Sequence, residues 1–335
     1  MNRYARQMLF EPIQQTGQDK LANSAVLVVG AGALGTVICN QLARAGIGKI
    51  RLVDRDYVEY SNLQRQILFD ESDAAQSIPK AIAAKNKLQS INSEIEIEAF
   101  VANVSNDNIE QFVSGVDVVM DGTDNFATRY LLNDICYKKN IPYSYGGVVS
   151  SRGMTAFFIP EETPCMRCLF KGEANSNQTC DTVGVIAPAV DIISSLQVTE
   201  VFKYLTDNTK HLRRTLKTID IWYNHQYDLK FPKPDSNCPS CQKRVFPALM
   251  KAGVSEETVL CGRNTVQIHQ ETHFDLDELA TKLSRVATIK KTPFLLKVLF
   301  DESITFVIFS DGRVLVQGTE DTLVARSFYD RYIGS

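Results

Sequence analysis

The sequence predicts an α/β fold: a doubly wound, Rossmann-like, mostly parallel sheet, followed by a small α+β module. Three observations predict it. A valine-rich apolar run, AVLVVG, passes straight into the glycine turn GAGALG and then into an amphipathic stretch. Strand-like and helix-like patterns alternate after it, the signature of a parallel sheet with crossover helices. From about residue 245 the texture changes to short β-rich runs around a hairpin signal.

AVLVVG suits a buried parallel strand, which is covered on both faces and so reads as a continuous apolar run. TVICNQLARAG is the helix that follows the turn, stopping at Gly46 and Gly48, and KIRLVD is the second strand. A helix in PKAIAAKNKLQSIN enters at Pro79, and EIEIEAF is the next strand. VDVVMDGTDN reads as a strand and turn, RYLLNDICYKKN as a helix, and IPYSYGGVV and GMTAFFIP as further strands. Residues 171–182, KGEANSNQTCDT, are polar and aperiodic and read as a mobile loop. IAPAVDIISSLQVTEVFKYL restarts a helix after Pro188, and FPKPDSNCPSCQK has the composition of a boundary. The expected domains are 1–244 and 245–335.

In the second, DLDELATKLSRV begins a helix with Glu278 three residues after Asp275, a capping-box spacing. ITFVIFSDGRVLVQG places two strands around Asp311-Gly312, the strongest hairpin signal in the chain, and DTLVARSFYDRYI is a final helix. No internal repeat or low-complexity tract is visible.

Composition narrows the function classes. The 335 residues are 44% hydrophobic and 22% charged, ordinary for a soluble globular chain. A formal charge of −3 argues against a surface that coats nucleic acid. The start, MNRYARQMLF, is too polar for a secretory signal, and no long apolar run predicts a membrane span, so the expected location is cytoplasmic. Among eight cysteines, Cys165/Cys168 and Cys238/Cys241 form two C-x-x-C pairs. In an intracellular chain such spacing reads as metal binding or redox chemistry. The other four cysteines read as buried thiols.

Gly30, Gly32 and Gly35 form G-x-G-x-x-G between a strand and a helix, and Asp54 ends the second strand, where a carboxylate binds ribose hydroxyls. Taken alone, this suits an NAD-dependent oxidoreductase as well as any other nucleotide protein. Hydride transfer usually recruits a well-placed histidine, but His211, His225, His269 and His273 all lie far beyond the turn. Cations cluster near the nucleotide half instead: Arg65 in VEYSNLQRQILF, Lys80 in IPK, and Arg3 and Arg6 at the amino end. Asp124 in GTDN follows another strand. Cations together with a carboxylate able to hold Mg²⁺ suit phosphate chemistry better than hydride transfer.

At these residues the chain resembles a family. RYARQ, GAGALG, VDRDYVEYSNLQRQ, PK, GTDN, TCDTVGVIAP and both C-x-x-C pairs are similar to the motifs of the MoeB/ThiF group of the ubiquitin-activating superfamily, over roughly residues 3–244. The resemblance implies a nucleotidyltransferase that uses ATP and Mg²⁺ to adenylate the C-terminal glycine of a ubiquitin-like sulfur carrier ending in Gly-Gly. It implies nucleotide contacts from Gly30, Gly32, Ala33, Gly35, Asp54, Asn62, Arg65, Gln66, Lys80, Asp124 and Asn125. Asp54 would take the ribose, Asn62, Arg65 and Lys80 the phosphates, and Asp124 the Mg²⁺ as the leading catalytic group. Arg6 would reach the neighbouring subunit's ATP, which implies a homodimer. Ala33 departs from the family's usual glycine and narrows the backbone approach by a methyl.

The resemblance also implies that Cys165, Cys168, Cys238 and Cys241 hold a structural Cys₄ zinc, whose closed thiolate shell leaves no open position. Cys180 stands where relatives carry a cysteine, which in ubiquitin-type activators and the thiamine branch bonds covalently to the carrier and in the molybdopterin branch is present without being needed, so a covalent role and a bystander thiol both stay open. The 245–335 module lacks a rhodanese cysteine loop, since Cys261 in LCGRNT does not fit one, and its role is open. The expected carrier is of the molybdopterin (MoaD) type, with the thiamine thiazole (ThiS) type as the alternative and an NAD oxidoreductase as the distant one.

Overall fold

The computed structural model describes residues 2–170, 183–250, 257–260, 264–270, 272–300 and 304–334. The polar stretch 171–182 with Cys180, and Cys261, lie outside the described residues. The chain divides into two compact units, Met1–Lys251 and Ala252–Ser335.

The first unit is built on an eight-stranded sheet. Its strands are β1 (Ala25–Val29), β2 (Lys49–Asp54), β3 (Glu96–Val101), β4 (Val118–Asp121), β5 (Tyr143–Val149), β6 (Arg152–Phe158), β7 (Thr215–Asp220) and β8 (His225–Lys230), ordered β3-β2-β1-β4-β5-β6-β7-β8. The pairs from β3 to β5 are parallel, and β5–β6, β6–β7 and β7–β8 are antiparallel. Alternate side chains of β1 serve two cores: Val26 and Val28 join one, Leu27 and Val29 the other. The first core takes in helices Ala33–Ala45, Lys80–Ile91 and Ala187–Leu205; the second takes in Ile109–Val113 and Phe126–Lys139. Burial on both faces explains the unbroken apolar run of β1.

β7 and β8 were not foreseen. All six residues of β8 are exposed, so HQYDLK carries no burial pattern to read.

The second unit is a six-stranded antiparallel sheet. Its strands are β9 (Glu257–Leu260), β10 (Thr265–His269), β11 (Thr288–Lys291), β12 (Leu295–Leu299), β13 (Thr305–Phe309) and β14 (Arg313–Gln317), ordered β11-β12-β13-β14-β10-β9. β13 and β14 form the hairpin expected at Asp311-Gly312. Gly312 has φ +87°, and a Cβ there would stand 2.1 Å from the Gln270 carbonyl oxygen, so only glycine fits. Asp275 and Asp321 each accept two N–H bonds at the starts of helices Leu276–Leu283 and Thr322–Tyr332. Leu283, Ala325 and Tyr329 from these helices pack with Val266, Phe306 and Val314 of the sheet.

Candidate functional site

The parallel register places the ends of β1, β2 and β4 side by side, because Val29 pairs with both Val53 and Asp121. The backbone then crosses between strands: Gly30 N–H donates to the Val53 carbonyl at 2.8 Å, and Gly122 N–H to the Val29 carbonyl at 2.8 Å. Gly30 has φ +93°, and a Cβ on Gly35 would lie 1.8 Å from the Gly30 carbonyl oxygen. The two glycines therefore set how closely the Ala33–Ala45 helix approaches the turn. Gly32 stands at the N-cap of that helix and no side chain caps it, so its first N–H groups stay available to an anion.

Asp54 faces this turn from β2. It accepts from Ala31 N–H at 2.6 Å and from Asp56 N–H at 2.7 Å. Burial pushes its carboxyl above the usual range, while the nearby Lys80 ammonium pulls the other way. Lys80 begins its helix after Pro79, is only 3% exposed, and lies 3.6 Å from an Asp56 carboxylate oxygen. A lysine buried to this depth is costly without counter-charge, and Asp56 and Asp54 supply it here.

The segment that follows β2 is held against this lysine. Val58 N–H donates to Ile78 at 2.9 Å, and Lys80 N–H to Asp56 at 2.8 Å. Asn62 is buried and its side-chain oxygen accepts from Glu59 N–H at 3.1 Å, which closes a short 3₁₀ turn at Tyr60–Asn62. Arg65, half-buried, donates to the Ser61 carbonyl at 2.9 Å. Gln66 is 3% exposed, and its side-chain oxygen has no partner.

Beyond β4 the loop splits its polar groups between two tasks. Asp121 is fully buried and accepts from Thr123 N–H at 2.8 Å, the Thr123 hydroxyl at 2.6 Å, Tyr143 at 2.9 Å and Arg129 Nε at 3.1 Å. Burial pushes its carboxyl up, against the pull of Arg129. Arg129 Nη2 also donates to the Thr123 carbonyl at 2.7 Å. Asn125 caps the Phe126–Lys139 helix through Thr128 N–H at 2.8 Å, and Asp124 is exposed. From the Ala187–Leu205 helix, Gln197 Nε2 donates to the Asp121 carbonyl at 3.0 Å and the Ser144 carbonyl at 3.1 Å. Sequence reading missed Asp121, Arg129 and Gln197. Asp121 sits inside GTDN's own strand, and an aspartate ending a buried strand was the available signal.

Arg6 is exposed and is not brought to these residues. Its neighbour Gln7 donates to the Ala45 carbonyl at 3.0 Å, and Arg3 to the Ile91 carbonyl at 2.9 Å. Ile91 is the carboxyl end of the Lys80–Ile91 helix, and Ala45 is the carboxyl end of the 13-residue helix whose N-cap is Gly32. Such a helix is about 20 Å long.

The two C-x-x-C pairs converge. Sγ of Cys165 is 3.5 Å from that of Cys238, Sγ of Cys168 is 3.5 Å from that of Cys241, and all four sulfurs lie within 4.8 Å of one another. Four thiolates around zinc at about 2.3 Å would have sulfurs about 3.8 Å apart, so the set fits a tetrahedral metal. Hydrogen bonding with Cys165 draws the Cys241 thiol down, and burial pushes Cys168 up.

The ThiF family model matches residues 4–240. The chain belongs to the ThiF family. A sulfur carrier protein ThiS adenylyltransferase of Bacillus subtilis is 40% identical over 99% of this chain and 99% of its own. A SAMP-activating enzyme E1 of Haloferax volcanii is 35% identical over 72% of this chain and 88% of its own. The solved structure of E. coli MccB with ATP superposes with a TM-score of 0.62 at 26% identity, covering 72% of this chain and 74% of MccB. The resemblance read from the motifs is borne out, and with it the Rossmann-like fold. Like the ThiF family relatives named for that activity, the chain is an adenylyltransferase. Among the described residues no helix is long and apolar enough to cross a membrane.

Proposed function

We propose that this enzyme transfers AMP from ATP to the C-terminal carboxylate of a small ubiquitin-like sulfur carrier and releases pyrophosphate. The observation that carries the reading is the meeting of a glycine turn, an uncapped helix start and buried Lys80 at the ends of β1 and β2. The carrier's terminal carboxyl has a reference pKa of about 3.3–3.7, so at neutral pH it is an ionised nucleophile and needs no general base. Its obstacle is repulsion by the triphosphate. Arg65 and Lys80 supply fixed positive charge against that repulsion, and Asp54 takes the ribose. Mg²⁺, held by the exposed Asp124 carboxylate and substrate oxygens, would screen further phosphate charge. Arg6, whose neighbour Gln7 is held at the Ala45 end of the Ala33–Ala45 helix, away from Gly32, would serve the site of a second copy. Zinc is the metal we assign to the four cysteines.

For the carrier we place the thiamine-branch protein first. The B. subtilis relative named for ThiS matches over 99% of both chains and so includes the Ala252–Ser335 unit, whereas a Caenorhabditis briggsae MOCS3 matches over 71% of this chain. The molybdopterin-branch carrier, the first expectation from the sequence although the motifs do not separate the two, is the second reading. Each carrier is offered separately with ATP and Mg²⁺, and its AMP adduct is sought by mass spectrometry. Adenylation of the ThiS type at the higher rate is expected. Faster adenylation of the MoaD type would reverse the order, and adduct on neither would remove the carrier reading.

A further inference from the structure

We infer that Asp134 assembles the four-cysteine centre: a buried carboxylate on the Phe126–Lys139 helix that clamps both C-x-x-C segments so that their sulfurs can share one metal ion. The inference rests on the metal reading of those cysteines and is independent of which carrier the enzyme serves. The pairs lie 73 residues apart in sequence, so something other than chain proximity must align them. Arg167 sits inside the first pair and Ser240 inside the second, and both reach the same side chain.

Asp134 Oδ1 accepts from Arg167 Nε at 2.9 Å, the Ser240 hydroxyl at 2.7 Å and Asn133 Nδ2 at 3.0 Å. Oδ2 accepts from Arg167 Nη2 at 2.8 Å and Ala248 N–H at 2.9 Å. Next to it, Asn133 accepts the N–H of Met166, also inside the first pair, at 2.9 Å. Arg167 is held from its other side by the Tyr130 ring, 4.5 Å away.

Asp134 and Asn133 are both fully buried. A buried carboxylate survives only when its lone pairs are taken up, and here five bonds do so. None of them serves the nucleotide turn; four reach into or beyond the two cysteine segments. Asp134 touches no sulfur, so it is a positioning residue rather than a ligand. Asparagine in its place keeps the shape but turns an NH₂ toward a donor and leaves the half-buried Arg167 without its counter-charge.

The test is competition for zinc between the full-length protein and a chromophoric chelator, with folded fraction followed by circular dichroism. Asp134→Asn is expected to weaken zinc binding about 10–100-fold, as loss of an outer partner does in other metal sites. Ser240→Ala, which removes one limb, should weaken it less. The double variant Asp134→Asn/Arg167→Gln removes the unpaired charge, so unfolding resistance should recover while zinc binding stays weak. Wild-type zinc affinity in folded Asp134→Asn, or affinity that recovers together with stability in the double variant, would overturn the inference. Where Asp134→Asn does not fold, Ser240→Ala and Arg167→Gln carry the test, and wild-type affinity in both overturns it. A wild-type chain that retains no zinc removes the metal reading and this inference with it.

Discussion

Asp121 and Asp124 are three residues apart, yet they belong to different regions of the site. Asp121 lies in its floor, buried and saturated by Thr123, Tyr143 and Arg129, beside the glycine contacts of Gly30, Gly35 and Gly122. Asp124 lies on its rim, exposed, as Arg6 is exposed at the amino end. The floor spends its polar groups on one another and on its own backbone; the rim is open to solvent. Perturbing the floor should therefore appear as lost stability, and perturbing the rim as lost rate in a folded protein.

Replacing Arg129 with Gln tests the floor most severely. It leaves Asp121 without its buried counter-charge, and a loss of about 3–5 kcal/mol in denaturant unfolding is expected. An unchanged midpoint would dissolve the distinction. Asp124→Ala tests the rim: pyrophosphate exchange should fall about 10²–10³-fold with stability within about 0.5 kcal/mol of wild type. Equal loss of rate and stability would move Asp124 to the floor.

Gly35→Ala sharpens the comparison by sign. Alanine normally favours a helix interior by about 1 kcal/mol, but here its methyl meets the Gly30 carbonyl oxygen, so a net loss of about 2–3 kcal/mol is expected. Mixing Arg6→Ala with Asp124→Ala should recover part of the exchange activity if the rim is completed by a second copy; a mixture as inactive as its parents would confine the site to one chain.

The smallest effect concerns Asp70, which follows the Arg65 segment. The Lys87 ammonium and the N–H groups of Asp73 and Ser72 hold its carboxyl below the usual carboxylate range. Its contribution is thus present above its unfolded pKa of about 3.9 and is lost as pH falls through the lower folded value. Asp70→Asn should cost about 1 kcal/mol or less at pH 7 and flatten the acid limb of the stability profile, which unfolding curves between pH 2 and 5 would show.

Much of this arrangement was legible in one dimension. GAGALG announced a turn that only glycines can make, because the constraint is local backbone contact. Asp311-Gly312 announced its hairpin for the same reason. The polar partners beneath the site were not legible. Arg129, Gln197 and Asp134 look like ordinary helical surface residues in sequence, and their meaning lies in contacts made across 8, 76 and 106 positions. β8 was invisible because it buries nothing.

By itself, then, the order of residues determined the family, the strand–turn–helix at Gly30 and the pairing of cysteines by type and spacing. Those are matters of local conformation and ligand chemistry. Folding alone decided which aspartate beyond β4 is buried and which is exposed, that Arg6 stands at the far pole from Gly32, and that one carboxylate links both cysteine segments. Burial and hydrogen-bond partnership are set by which distant elements pack together, and no local pattern encodes that.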